Sequence, residues 1–324
     1  MNSKLSQFGG VASVLTREKS EDISLFVEMD VPGHKPLGYE LSVVSKGVGY
    51  AISCEVLSQY REGFNEAFKH IDSHDGDIQY YTTEGTRKPV RPTWEHSPFE
   101  TSLFQVPKMF CEPEELRRIL GSVTQYHALD VSSRAPVKLP QQMKPAELPG
   151  ADGEDLIPFL YYLRESNRDR YEAIEDVLKA AFPSFESLNF PPVAAGMLSL
   201  TWKDKNFSKP FYMHELSEGT LRFLRLVSLL QSPGLSTVTM IDEPEVSLHP
   251  ELLSILADLM REASQRTKLI VATHSDRLIR FLEPNEVVVM DSDDDSCTTA
   301  AWGDSLDLDN WLKEFSLDEV WRMG

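Results

Sequence analysis

The sequence is poor in cysteine and contains no long apolar run. Its three cysteines, Cys54, Cys111 and Cys297, stand far apart without a CxxC spacing, which excludes a disulfide framework and a cysteine-based zinc site. No run of about 18 apolar residues is present, so we expect no transmembrane helix. Residues 1–10 lack the basic and apolar regions of a secretory signal. We therefore expect a cytoplasmic protein with no membrane attachment.

Basic residues are also scarce. The chain has 51 Asp and Glu against 32 Lys and Arg, for a formal net charge of −19 at pH 7. Such a surface repels phosphate backbones on average, which disfavours non-specific coating of DNA or of an anionic membrane. At 324 residues, the chain is long enough for one large α/β domain or two smaller ones.

Residues 1–59 predict an N-terminal antiparallel β part. Residues 23–31 alternate apolar and polar side chains, which is the period of a half-buried strand. Leu41 and Val43 indicate a second strand and residues 50–56 a third, with short glycine-containing connections. Together these segments predict a β meander.

Residues 60–195 predict an α-rich insertion or helical lobe. Its polar stretch, 70–91, indicates only loops or weak strands. Four prolines make residues 134–153 an extended linker with little regular structure. Apolar side chains at helical spacing then predict two helices, over 155–164 and 168–182.

Residues 196–300 predict a C-terminal lobe, followed by an acidic tail over 301–324. The lobe alternates strands and helices, in the order strand 238–241, helix 250–264, strand 269–272, helix 277–282 and strand 287–290. This alternation predicts a parallel sheet with crossover helices. The second of these strands is entirely apolar, which is typical of a strand covered on both faces.

Two of these strands end in residues that can carry chemistry. Functional groups in open α/β sheets collect at the carboxyl ends of the strands. The first strand ends in Asp242 and Glu243, of which one carboxylate can hold Mg2+ while the other polarises a water. The second strand ends in Thr273-His274-Ser275, which places an imidazole at the same edge. A carboxylate pair and a histidine in this arrangement suit phosphoryl transfer.

A helix start suited to anions precedes these strands. Ser217 is a suitable N-cap, and Gly219 allows a close backbone approach to the first turn. Taken singly, each of the three features is more often a helix cap or a loop start than a functional site. Their order and spacing together are improbable by chance.

In this order, the residues resemble the C-terminal half of the ABC-type ATPases, specifically the RecF-, SMC- and OLD-like group of AAA family ATPases. Residues 216–220 resemble the ABC signature, residues 240–243 the Walker B motif and residues 273–275 the switch histidine. Residues 242–250 match the DEPExxLHP form of the OLD/RecF-like branch. The resemblance implies an α/β, P-loop NTPase (ABC ATPase-like) sheet, with the β meander in its N-terminal lobe.

The resemblance also implies a role for each residue toward ATP and Mg2+. Asp242 would order Mg2+, mostly through water. Glu243 would be the general base toward the attacking water, and His274 would contact the γ-phosphate. Ser217 and Gly219 would reach the nucleotide of the opposite protomer, because these ATPases bind nucleotide between two subunits.

The same resemblance implies partners. Residues 246–249 would lie along the seam of a homodimer or of a pair with a related ATPase subunit. Arg222, one turn into the signature helix, would touch the partner's nucleotide or form a surface pair, and the second alternative is favoured. DNA or an effector protein would be a further partner, in DNA maintenance or phage defence.

The sequence contains no phosphate-binding loop of the form GxxxxGK[ST]. We expect the chain to begin downstream of that loop, with a separately encoded loop or a degenerate, non-hydrolysing protein as the alternatives. The leading hypothesis is an ATP-hydrolysing subunit that dimerises around nucleotide. The rival hypothesis is a non-catalytic interaction or regulatory module on the same sheet.

Overall fold

The chain folds into two compact units, Met1–Gly121 and Ser122–Gly324. Each unit has its own hydrophobic core. The division differs from the predicted boundaries at 59/60 and 195/196. The computed structural model describes residues 10–15, 20–31, 35–47, 49–60, 66–81, 89–92, 95–97, 99–294 and 297–306.

The first unit is an antiparallel meander followed by helices. In chain order, its elements are β1 (Asp22–Met29), β2 (Leu37–Lys46), β3 (Gly49–Gln59), β4 (Phe68–His74), β5 (Asp77–Tyr81), β6 (Pro89–Val90), α1 (Ser102–Gln105) and α2 (Cys111–Gly121). Each strand pairs antiparallel with the next, so the spatial order of the strands follows the chain. The predicted N-terminal meander is confirmed.

The meander is longer than the sequence predicts. Strands β4 and β5 occupy the polar stretch for which we expected loops or weak strands. Ile71, Ile78 and Tyr80 are buried on one side of the sheet, but charged and polar residues between them hide the alternation. The compact unit therefore extends to Gly121 instead of ending near residue 59.

The second unit combines helices with a parallel sheet. In chain order, its elements are β7 (Thr124–Tyr126), β8 (Gln141–Gln142), α3 (Leu156–Ser166), α4 (Arg168–Ala181), β9 (Phe185–Asn189), β10 (Met197–Leu198), β11 (Thr201–Asp204), β12 (Phe211–Tyr212), α5 (Glu218–Leu230), β13 (Val238–Asp242), α6 (Leu252–Ser264), β14 (Lys268–Ala272), α7 (Asp276–Ile279), β15 (Val288–Ser292) and β16 (Thr298–Trp302). The parallel sheet has the spatial order β14-β13-β7, with β13 in the middle.

The helices of this unit form the core against the sheet. From Leu221 onward every side chain of α5 except Arg222 is buried, and α3, α4 and α6 contribute their apolar faces to the same cluster. The predicted linker has little regular structure, as expected, but Ala135 and Val137 within it are buried in this core.

Of the predicted tail, residues 301 and 302 belong to β16, and residues 307–324 lie outside the described residues.

Two expectations about the C-terminal strands are wrong. β15 does not join the parallel sheet, because it pairs antiparallel with β16 in a hairpin. The third strand of the parallel sheet is instead β7, which lies far upstream and is only three residues long. β14 is also not covered on both faces, since Lys268, Ile270 and Ala272 are exposed. The alternation of strands and helices thus predicts the elements correctly but not their pairing.

Candidate functional site

The predicted acidic and histidine residues lie at one edge of the parallel sheet. Asp242 ends β13 and stands in register with Ala272, which ends β14. The backbone N–H of Glu243 donates to the Ala272 carbonyl at 2.8 Å, so the pairing continues one residue beyond β13. Thr273 and His274 directly follow β14. The structure therefore brings Asp242, Glu243 and His274 to the same strand-end edge.

The chain turns sharply after β13. Glu243 has φ of 45° and Ser247 has φ of 63°, both in the left-handed region that non-glycine residues rarely adopt. Each such residue costs on the order of 1 kcal/mol and persists only where the surrounding structure holds it. We call residues 243–247 the strand-end turn. Its strained backbone determines where the Glu243 carboxylate can lie.

Ser217 caps α5, as its sequence position suggests. Its hydroxyl oxygen accepts the backbone N–H of Thr220 at 3.1 Å, and the two hydroxyls lie 2.7 Å apart. The Ser217 side chain is exposed. The amino end of α5 is therefore open to solvent and retains the partial positive charge of a helix N-terminus.

The amino end of α5 packs against the strand-end turn of the same chain. A Cβ added at Gly219 would lie 2.5 Å from the carbonyl oxygen of Ser247, so only glycine fits there. The Arg222 guanidinium donates to the Val246 carbonyl at 3.4 Å. Arg222 thus binds the turn instead of forming the surface pair that the sequence favoured.

His127 is a site residue that the sequence analysis missed. It directly follows β7, whose Tyr126 is in register with Ile241. The His127 imidazole Nδ1 lies 3.4 Å from Asp242 Oδ2. β7 is too short to give a periodic signal, so a histidine after the short run Thr124–Tyr126 was the only signal available.

Glu245 is the second residue that was missed. The Thr273 hydroxyl donates to Glu245 Oε1 at 2.6 Å, while Oε2 is buried with no hydrogen-bond partner among the described residues. The signal was present in the sequence, because Glu245 is the second glutamate of the DEPExxLHP match. Only the fold shows that it meets Thr273.

A buried arginine lies beneath this edge. Arg225 on α5 donates to the Ala151 carbonyl at 2.7 Å, and its guanidinium lies 4.7 Å from the ring centre of Tyr126. Burial lowers its pKa to about 10, so the side chain stays positively charged at neutral pH. Arg225 and Arg222 line the same small cavity as His127, Asp242 and Glu243. This positive charge favours anionic groups at the edge.

The donor set at this edge fits Mg2+ bound together with phosphate. Mg2+ usually keeps several waters and takes one or two protein carboxylates plus phosphate oxygens. Asp242 and Glu243 offer carboxylates, and His127 engages only one oxygen of Asp242. The described residues contain no group of three or more His, Cys, Asp or Glu side chains placed to hold a metal alone. Asp242 therefore suits a metal that phosphate and water help to hold.

The fold places the chain in the class of α/β proteins with the P-loop NTPase fold. Residues 112–280, more than half of the 324-residue chain, match the family described as "AAA domain, putative AbiEii toxin, Type IV TA system". The chain belongs to this family. The predicted membership in the AAA family ATPases is thereby confirmed.

Solved structures with a similar fold include SMC head domains. The SMC head domain from Thermotoga maritima is 12% identical, with a TM-score of 0.36, over 85% of this chain and 76% of that chain. An Smc head bound to the C-winged helix domain of ScpA is 12% identical, with a TM-score of 0.46, over 98% of this chain and 87% of that chain. An Smc head domain from Pyrococcus furiosus, with an extended coiled coil and bound to the C-terminal domain of ScpA, is 11% identical, with a TM-score of 0.43, over 99% and 88%. Likeness at this level assigns no function.

Comparison with curated proteins gives no match. Within the part of the chain that the structure describes, no helix has both the length and the apolar character needed to cross a bilayer.

Proposed function

We propose that this chain is an ATPase subunit that hydrolyses ATP at an interface with a second copy or with a related ATPase subunit. The observation that carries the proposal is the register of β13 and β14, which sets Asp242, Glu243 and His274 along one strand-end edge. Family membership adds the expectation of an ATPase. The chemistry of the three side chains matches what phosphoryl transfer to water requires.

Each residue has a distinct task in this proposal. Asp242 would hold Mg2+, which would neutralise charge on the phosphates. Glu243, directly after the strand end, accepts the proton of the attacking water. His274 donates a hydrogen bond to the γ-phosphate. The exposed amino end of α5, with Ser217 and Gly219, binds the nucleotide held by the partner subunit.

The 324 residues contain no GxxxxGK[ST] motif. The proposal therefore assigns to this chain the groups that act on water and on the partner's nucleotide, and it does not assign the phosphate-binding loop. The missing motif also favours a second candidate function, a non-hydrolysing interaction or regulatory module built on the same sheet. Turnover by the parent chain, measured together with a related ATPase subunit that carries the loop, separates the two.

A Glu243→Gln variant tests the proposal. We expect it to lose at least about 100-fold in ATP turnover, because a general base typically contributes a factor of that size. ATP-dependent self-association should persist, since the amide keeps the shape of the side chain. Phosphate release and light scattering with Mg2+ and ATP measure the two properties.

Glu251→Gln is the matched control, because the Glu251 carboxylate is 89% exposed and lies beyond the strand-end turn. Equal turnover by Glu243→Gln and the parent would remove Glu243 from its role. A parent chain that binds Mg2+ and ATP without turnover would favour the non-hydrolysing module.

A role in DNA maintenance or phage defence stays a prediction from the resemblance, and stimulation of turnover by added DNA would support the first alternative.

A further inference from the structure

Thr273 holds the backbone on both sides of His274. Its hydroxyl donates to Glu245 Oε1 at 2.6 Å and accepts the backbone N–H of Ser275 at 3.0 Å. Ser275 in turn caps α7 by accepting the backbone N–H of Leu278 at 3.3 Å. His274 itself is exposed and has no hydrogen-bond partner among the described residues. Its placement therefore depends on its two neighbours.

Glu245 binds Thr273 with only one of its two carboxylate oxygens. One carboxylate oxygen binds Thr273, but Oε2 is buried without a hydrogen-bond partner in the described part of the chain. A buried carboxylate oxygen left unpaired is unfavourable, and such groups in native structures call for an explanation.

The same turn also contacts α5. Glu245 stands midway between Glu243 and Ser247, the two residues with left-handed backbone. The Ser247 carbonyl abuts Gly219 at the amino end of α5. A bound nucleotide that displaced that end would therefore also move the strand-end turn. The turn is hydrogen-bonded to Thr273, next to His274, through the Glu245 carboxylate.

We propose that Glu245 is a positioning residue, which holds Thr273 so that His274 keeps its place relative to Glu243 and follows movements of the amino end of α5. This inference rests on the proposed function, because Glu245 would act through His274, the residue proposed to contact the γ-phosphate. Its central contact is the hydrogen bond between Thr273 and Glu245, both in this chain, so the contact is testable without ATP.

The test uses the full chain with carbon-13 in its histidine rings. The His274 Cε1–Hε1 signal is identified by its loss in His274→Asn. We expect Glu245→Ala and Thr273→Val to move this signal to the same new position, and the double variant to move it no further. Glu245→Gln and Thr273→Ser keep an acceptor or a hydroxyl and should leave the signal close to its parent position.

Glu251→Ala is the control, because the Glu251 carboxylate lies 3.7 Å from His249. This variant should move the His249 signal and leave that of His274 in place. An unmoved His274 signal in a folded Thr273→Val or Glu245→Ala chain would overturn the inference. Shifts that add in the double variant would do the same, because they would show that the two residues act separately. Thr273→Val changes little volume, so it remains informative if Glu245→Ala fails to fold.

Kinetics supply the second readout. In Thr273→Val we expect kcat to fall about tenfold with KM changed less than about twofold, since a lost charge-assisted hydrogen bond is worth a factor of this size. Recovery of kcat in Thr273→Ser would support the inference. A parent chain that binds Mg2+ and ATP without turnover would contradict the proposed function, while the histidine signals would still decide the role of Glu245.

Discussion

Gly219 lies in the first turn of α5, where another segment of the chain approaches its backbone closely. The sequence indicates a glycine that allows close approach at the start of a helix, without saying what approaches. In the structure, the approaching group is the Ser247 carbonyl of the same chain. Because that carbonyl belongs to a residue with left-handed backbone, it has little freedom to move away.

We predict that Gly219→Ala destabilises the chain by about 1–3 kcal/mol, which is the usual cost of overpacking. Elsewhere in a helix the same change would stabilise by up to about 1 kcal/mol. Urea unfolding measures the free energy. Gly121→Ala is the control, since an added Cβ there meets nothing within 4 Å. A Gly219→Ala chain as stable as the control would contradict the close contact.

At the scale of elements, an ion pair fixes the chain before β15. Arg261 on α6 donates from Nε to Glu286 Oε1 at 2.8 Å and from Nη2 to Oε2 at 2.9 Å. This two-point contact holds the pKa of Glu286 below its ordinary value of 4.5. Its contribution to stability is therefore complete above pH 4.5 and is lost as the pH falls through the lowered pKa.

Arg261→Gln should reduce this pH dependence, and the backbone N–H of Glu283, which donates to Glu286 Oε2 at 2.9 Å, should maintain the rest. We expect the variant to be less stable than the parent at pH 7 by up to about 1 kcal/mol, since both side chains are partly exposed. The difference should be smaller at pH 3 than at pH 7, because falling pH favours protonation of Glu286 in the parent and weakens the ion pair. Urea unfolding at both pH values measures it. A difference of equal size at both would rule out the ion pair as its source.

At the scale of the whole molecule, the chain divides into units with separate cores. All buried residues of one cluster lie between Val11 and Leu116, and all those of the other between Tyr126 and Leu278. The predicted boundaries followed changes in composition, but composition does not reveal which residues share a core. The pairing of β4 with β3 places the strands after residue 59 in the first core, because it extends the meander past the predicted boundary.

We predict that the fragment Ser122–Gly324 folds without the first unit, because its core is complete within itself. The fragment should unfold in one cooperative thermal transition and keep the near-ultraviolet circular dichroism of its buried aromatic residues. Fragment Met1–Gly121 is the companion sample. A fragment Ser122–Gly324 with helical signal but no cooperative transition would contradict the prediction.

Much of the fold could be predicted from local patterns. Alternation indicated β1 to β3, helical spacing indicated α3, α4 and α6, and turn residues marked where they end. β4 and β5 were obscured, because polar residues occupy half-buried positions. The acidic and histidine residues of the candidate site followed from the rule that parallel strands end together. His127 did not, because β7 takes its place beside β13 through contacts distant in sequence.

The sequence by itself determined the chemical groups and the order of the strongly periodic elements, since side-chain type and hydrophobic period are local properties. It also determined the family, through the motif that runs from Asp242 to Pro250. Only the tertiary structure decided which strands pair, that β15 leaves the parallel sheet, and that Glu245 meets Thr273. The physical reason is that strand pairing and buried hydrogen bonds depend on residues far apart in the chain, whose approach no local pattern records.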